Sequence, residues 1–360
     1  MINHAGFLGG IVIAALVVLT PTTYAAEFMF RARVDGRMLE GQPLAWSDTQ
    51  MLLLGRDGAL HEFNPKKAKE ARKTSPRFFS YTSSEMRNEL QREFGDRFDI
   101  SSTTHYLVVH PRGERDVWAQ RFEDLIRSFN HYFRLRGFTP EEPKFPLVAV
   151  VFRNQAEYFA HARKGGQPMK PGTLGHYEPG TNRVYLFDST GGADDADWSL
   201  NAGTIIHEAT HQSAYNVGIH NRFAVCPRWL VEGLATMFEA RGVWDSRSYQ
   251  TQTDRVNRER LRDFRAYVKR RPEGAMSRLI AVDDLFEADT LAAYAETWAL
   301  SFYLCETRPQ LYAKYLELTG SRANFEEYPA AERLADFKSI FGQDVRLLEN
   351  QFLQYMKEVK

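Results

Sequence analysis

Two histidines, His207 and His211, stand four residues apart in a stretch that also carries Ile205, Ile206, Ala209 and Ala214. Positions i and i+4 share one face of an α-helix, a turn apart, so a helix here sets both imidazoles side by side. Thr204 can cap that helix, and the four apolar residues can pack it. Two imidazoles so placed can meet one metal ion at about 2.0–2.1 Å. Glu208, one step round the helix, is placed to reach a water on the ion rather than the ion itself. The spacing therefore predicts a helical metal site with a carboxylate beside it.

With 360 residues the chain has room for two domains, or one large domain with an appendage. Lys+Arg 46 balances Asp+Glu 46, which argues against a general nucleic-acid binder and against a polybasic membrane binder. Residues 7–19 form an apolar run too short to span a bilayer comfortably, and Pro21 ends it. Thr23 and Ala25 supply small residues at the −3 and −1 positions of a cleavage site. Residues 1–25 read as a signal peptide, which makes the mature chain exported, periplasmic or secreted. The lack of Lys or Arg before the run keeps an uncleaved anchor as the alternative. No Cys follows the run, which argues against a lipoprotein, and no second membrane span is visible. The two cysteines, Cys226 and Cys305, leave two readings open, a disulfide or a pair of buried thiols. Neither has a CxxC partner for zinc.

Along the chain, residues 27–64 alternate in a β manner, with Asp35-Gly36 and Asp57-Gly58 as turn signals. Two hairpins in so short a stretch resemble a small SH3-like β-barrel, read as a packing or docking module. Residues 65–82, rich in Lys, Arg and Glu, read as a linker. From 83 to 360 a single domain is expected. Helix is expected over 84–94 and 115–136, the latter with Val117, Trp118, Phe122, Leu125, Ile126, Phe129 and Phe133 at helical spacing. Strands are expected over 104–109, 145–152 and 183–187, and Asn154 can cap a helix to about 163. The chain from about 228 onward reads as almost all helix. A mixed first half and a helical second half give an α+β domain.

The third metal ligand separates the possible sites. A metzincin requires HExxHxxGxxH, and Ala214 and Val217 occupy the two further positions, which excludes it. His220 fits no ligand spacing and reads as a loop histidine. Downstream, Pro227-Arg228-Trp229-Leu230-Val231-Glu232-Gly233-Leu234-Ala235 resembles the WLxEGxA helix of gluzincins, including the aminopeptidase N family. HEATHQ followed by PRWLVEGLA is also similar to the peptidase-MA-like domains of exported bacterial proteins. The resemblance implies a zincin-like catalytic domain, one catalytic Zn2+ held by His207, His211 and Glu232, and Glu208 as general base. It implies a zinc metallopeptidase acting on peptide or protein. A carboxylate from a second helix completes a His₂Glu set and leaves a fourth position open, as a catalytic zinc requires.

The same resemblance implies further roles. Tyr294, in Ala293-Tyr294-Ala295-Glu296-Thr297-Trp298, matches the position of a transition-state donor; a core tyrosine is the other reading. Glu239, seven residues after Glu232, either orients a ligand histidine or makes a surface salt bridge. Tyr177, Val184 and Tyr185 fall where zincins carry the edge strand that binds extended peptide, or in an ordinary hairpin. Two departures stand out. The connection between His211 and Glu232 is longer than in the aminopeptidase N family, and no GAMEN-like exopeptidase motif precedes the HExxH, so exopeptidase action is unsupported. A zinc-bearing, non-catalytic envelope or binding protein on the same fold is the alternative function.

Overall fold

The computed structural model describes residues 27–113, 118–189 and 199–360; the expected signal peptide lies outside them. The chain forms two compact units, one of Met1–Glu123 with Pro143–Asp197, the other of Asp124–Glu142 with Trp198–Lys360.

The first unit opens with strands β1 (Met29–Val34), β2 (Arg37–Trp46), β3 (Met51–Gly55), β4 (Leu60–Phe63) and β5 (Lys69–Ser75). The β1–β2 turn uses Asp35 and Gly36 at φ 47° and 82°, the left-handed pair a tight hairpin requires. Ala32, Val34, Leu53 and Phe63 form the core of this sheet. Its order is β4-β3-β2-β1-β5. This corrects the barrel expectation: β5 pairs with β1 and not with β4, so the sheet is open. It also places a strand where a linker was expected. Its exposed Lys, Glu and Arg side chains look like linker composition, yet such residues suit an unpaired sheet edge.

Backbone hydrogen bonds tie this sheet to later parts of the same unit. Leu60 N donates to the Gly180 carbonyl at 2.7 Å, and Tyr81 N donates to the Arg56 carbonyl at 2.7 Å. After α1 (Ser83–Phe94) come β6 (Phe98–Ser102), β7 (Tyr106–Pro111), β8 (Leu147–Phe152), α3 (Gln155–Lys164), β9 (Gly175–Glu178) and β10 (Arg183–Phe187), while α2 (Trp118–Arg134), between β7 and β8, belongs from Asp124 onward to the second unit. Thr82 and Glu85 close a reciprocal cap on α1, and Asn154 caps α3 through Glu157 N. The second sheet runs β6-β7-β8-β10-β9, with β7, β8 and β10 parallel and the two outer strands antiparallel. The three parallel strands are buried residue by residue, which is why β8 reads as a nearly continuous apolar run. Met86, Leu90, Leu107, Val109, Val150 and Phe152 join α1 to one face of this sheet. Strand β6 was not expected, because Phe98 and Ile100 alternate with Asp99 and Ser101 over too short a run to register.

The second unit is helical: α4 (Ser199–Asn216), α5 (Arg228–Phe238), α6 (Arg241–Trp244), α7 (Arg258–Tyr267), α8 (Ala275–Ala281), α9 (Leu285–Ala288), α10 (Thr290–Thr307), α11 (Pro309–Gly320), α12 (Ala330–Phe341) and α13 (Val345–Glu358). α4 starts at Ser199, so Thr204 lies inside it rather than capping it. α5 is buried from Trp229 to Phe238, and α10 from Ala292 to Cys305. Helices apolar all round are interior helices, and these two form the centre of the unit. No described helix is long and apolar enough to cross a membrane.

Candidate metal centre

The interior position of α4 and α5 decides what their polar residues can do. His207, Glu208 and His211 on α4, and Glu232 on α5, are each at most 2% exposed. A buried carboxylate and two buried imidazoles are costly unless they satisfy one another or a cation. Nε2 of His207 and Nε2 of His211 face each other at 3.0 Å. Oε2 of Glu232 lies 3.3 Å from the first and 3.6 Å from the second. Among the described residues these three make the one grouping of His, Cys, Asp or Glu able to close on an ion.

The spacing fits zinc. Ligands about 2.0–2.1 Å from a tetrahedral ion sit about 3.3–3.4 Å from one another, and the three observed separations bracket that value. Neither oxygen of Glu232 meets hydrogen-bond geometry with any donor. A buried carboxylate facing two imidazole nitrogens is a donor set for a borderline divalent cation.

The charges agree. With only protein groups around it, His207 loses basicity to burial, but the nearby Glu232 carboxylate, the hydrogen bond to Glu239 and the charge of Glu208 outweigh that and push it up to about 10. Burial works to raise the Glu232 carboxyl, and the two imidazoles overcome it and hold the carboxyl far below its usual range. The pocket thus retains positive charge against its carboxylates, the charge a metal ion would otherwise supply.

Glu239, just past α5, contacts both a histidine of the centre and an arginine. Its Oε1 accepts from His207 Nδ1 at 2.9 Å, which directs Nε2 toward the centre. Its Oε2 accepts from Asn257 Nδ2 at 2.7 Å, and Arg260 Nε lies 3.9 Å away. Asn257 and Arg260 were not anticipated. Asn257 carries a sequence signal as the cap of α7, but nothing in the linear chain joins it to Glu239.

Tyr294 enters from α10. Its ring centroid is 6.3 Å from that of His207, and its buried hydroxyl has no hydrogen-bond partner. Burial first, then the charge of Glu232, keep the phenol well above its ordinary pKa. Gly233 brings this helix close: a methyl there would lie 2.3 Å from Ser301 Oγ and 2.6 Å from the Thr297 carbonyl. Glycine in this motif thus has a packing reason, since α5 and α10 approach closely beside Glu232.

His220 lies in a loop just beyond α4, and that loop position is buried. It is 2% exposed, neither ring nitrogen has a hydrogen-bond partner, and burial together with His211 pushes it down to about 3. Cys226 and Cys305 are both free and buried. Cys305 Sγ lies 3.0 Å from Tyr132 Oη, and Cys226 Sγ reaches the Asn221 carbonyl at 3.7 Å. Of the two readings of the cysteines, the thiol pair is the one found.

Tyr177, Val184 and Tyr185 belong to the other unit and are buried in its sheet. Val184 and Tyr185 lie on β10, which is paired on both sides, so its backbone has no edge to offer. The outer strand is β9, and Tyr177 there donates its hydroxyl to Asn182 at 2.8 Å.

Comparison with known proteins adds three findings. A family model described as a protein of unknown function (DUF1570) matches residues 201–326, a range that holds all three metal-site residues together with Glu208, Glu239 and Tyr294. A search of the curated proteins gives no match. Among solved structures, this chain is similar to an M1 zinc metallopeptidase from Deinococcus radiodurans, crystallised as a point mutant, at 13% identity and a TM-score of 0.41 over 73% of this chain. The match spans 51% of the solved chain, about half its length.

Proposed function

We propose that this protein is a zinc-dependent peptidase that hydrolyses peptide bonds with Glu208 as its general base. The observation that carries the reading is the convergence of His207, His211 and Glu232 at 3.0–3.6 Å in a buried pocket. Glu208 sits on the same turn of α4 and is equally buried. A structural zinc site would use four protein ligands; here three come together among the described residues.

His207, His211 and Glu232 would hold the ion. Bound zinc supplies Lewis acidity, bringing the pKa of water from 15.7 toward about 7 and polarising a carbonyl. The chain's own groups do the rest. Glu239 accepts the Nδ1 proton of His207, which fixes the tautomer and frees Nε2 for the ion. Glu208 takes the proton of the attacking water and delivers it to the leaving amine. Tyr294, kept protonated by its raised pKa, donates its hydroxyl hydrogen to the oxyanion as it develops. The N-terminal apolar run supports export, to the periplasm or the medium.

The test is zinc content by elemental analysis together with cleavage of a denatured protein mixture, for wild type and Glu208→Gln. The variant should keep one zinc and lose about 10²–10⁴-fold or more in turnover. Equal cleavage by both proteins would remove Glu208 from the mechanism.

A further inference from the structure

The sequence motif around α5 contains one charged residue that the reaction leaves unused, Arg228. It opens the helix one turn before Glu232, on the same face. Glu232 is 1% exposed, whereas the Arg228 side chain keeps 19% of its surface. The face therefore runs from the metal centre outward, with Arg228 at its rim.

An aromatic ring holds this guanidinium in place. Its central carbon lies 4.2 Å from the Phe286 ring centroid. Phe286 packs edge-on against Tyr294 at 5.8 Å, and Tyr294 lies 6.3 Å from His207. The guanidinium donors are little used. Nε is buried without a partner, and Nη1 reaches one oxygen of Glu287 at 3.4 Å. Glu287 is 85% exposed, so that pair contributes little. Asp283, the other nearby acid, is taken: Oδ1 accepts from the Arg228 backbone N–H and Oδ2 from Arg333. A buried donor without an acceptor is unfavourable, and a guanidinium fork matches a carboxylate with two parallel bonds.

We propose that Arg228 binds a carboxylate of the substrate, either its free C-terminus or an Asp or Glu side chain. The contacts from the guanidinium over Phe286 to Tyr294 cover two or three extended residues, at about 3.3–3.6 Å each. The carboxylate therefore belongs two or three residues from the bond that is cut. The exposed Glu287 yields Arg228 at little cost. This inference rests on the peptidase reading above and gives it a specificity.

The experiment uses the zinc-loaded full chain carrying Glu208→Gln, so that peptides bind without turnover. Three pools of mixed-sequence hexapeptides are titrated by fluorescence anisotropy: free C-terminal acids, neutral amidated peptides, and amidated peptides with one internal Glu. One carboxylate-bearing pool should bind about tenfold to a hundredfold tighter than the neutral pool, and which pool does so identifies the carboxylate. Adding Arg228→Gln should abolish the difference, and Arg228→Lys, which keeps the charge without the fork, should restore part of it. Thermal unfolding and zinc content verify the fold of each variant; if Arg228→Gln does not fold, Arg228→Lys carries the test through a reduced preference. A preference that survives substitution, or none in the parent protein, overturns the proposal. Wild-type cleavage is scored separately. Its absence with zinc bound counts against the peptidase reading, while the titration reads the carboxylate site without turnover.

Discussion

Gly233→Ala tests whether the close approach of α5 and α10 sets the geometry of the centre. The added methyl would stand 2.3 Å from Ser301 Oγ and 2.6 Å from the Thr297 carbonyl, against 3.4–4 Å for ordinary contact. Ser301 can rotate its hydroxyl away, but the Thr297 carbonyl is helix backbone and cannot. The helices must therefore part by about 1 Å locally, an overpacking strain of about 1–3 kcal/mol. In a unit of this size each kcal/mol lowers the melting temperature by about 2–4 °C, so a fall of about 2–12 °C is expected. The displacement arrives where chemistry is done: Gly233 follows Glu232, and Thr297 is one turn beyond Tyr294. A misplacement of about 1 Å at reacting groups can cost about 10²-fold in kcat. Calorimetry, zinc content and kcat measured together should show a lower melting temperature, retained zinc and a kcat lower by about that factor. Ser301→Ala added to Gly233→Ala should not restore it, because the backbone clash remains. An unchanged melting temperature with unchanged kcat would refute the argument, since it would mean that the helices have room to spare.

Other outcomes are expected at the same site. In the protein without metal, His207 is raised from 6.5 to about 10, so its charged pairing stabilises the fold below about pH 6.5 and is lost as pH rises through about 10. Zinc binding near neutral pH must displace that proton, so affinity should rise about tenfold per pH unit between about pH 7 and 9; titration in buffers of different ionisation enthalpy measures the released proton, and pH-independent affinity would contradict the assignment. Glu239→Gln should weaken zinc binding about 10–100-fold in chelator competition while Glu208 stays in place. Alkylation of the denatured, unreduced protein should add two adducts, one for each free thiol; no adducts would mean a disulfide.

What the sequence determined by itself was local. The four-residue spacing of His207 and His211 required a helix, and a helix fixes which side chains share a face before any partner is known. The nearly continuous apolar run of β8 identified a buried strand, since full burial leaves no polar alternation to obscure it. Where composition and structure point different ways, the linear chain misled: the charged stretch holding β5 looks like a linker, yet backbone pairing with β1 makes it a strand whatever its side chains do. Tertiary structure alone decided that Glu232 faces the two imidazoles, that Glu239 is tied to Asn257, that His220 is buried, and that Cys226 and Cys305 remain apart as thiols. Each of these depends on how two segments distant in sequence approach. The α5–α10 contact at Gly233 shows why: the approach is set by the absence of one methyl group, and no spacing along the chain records what that methyl would strike.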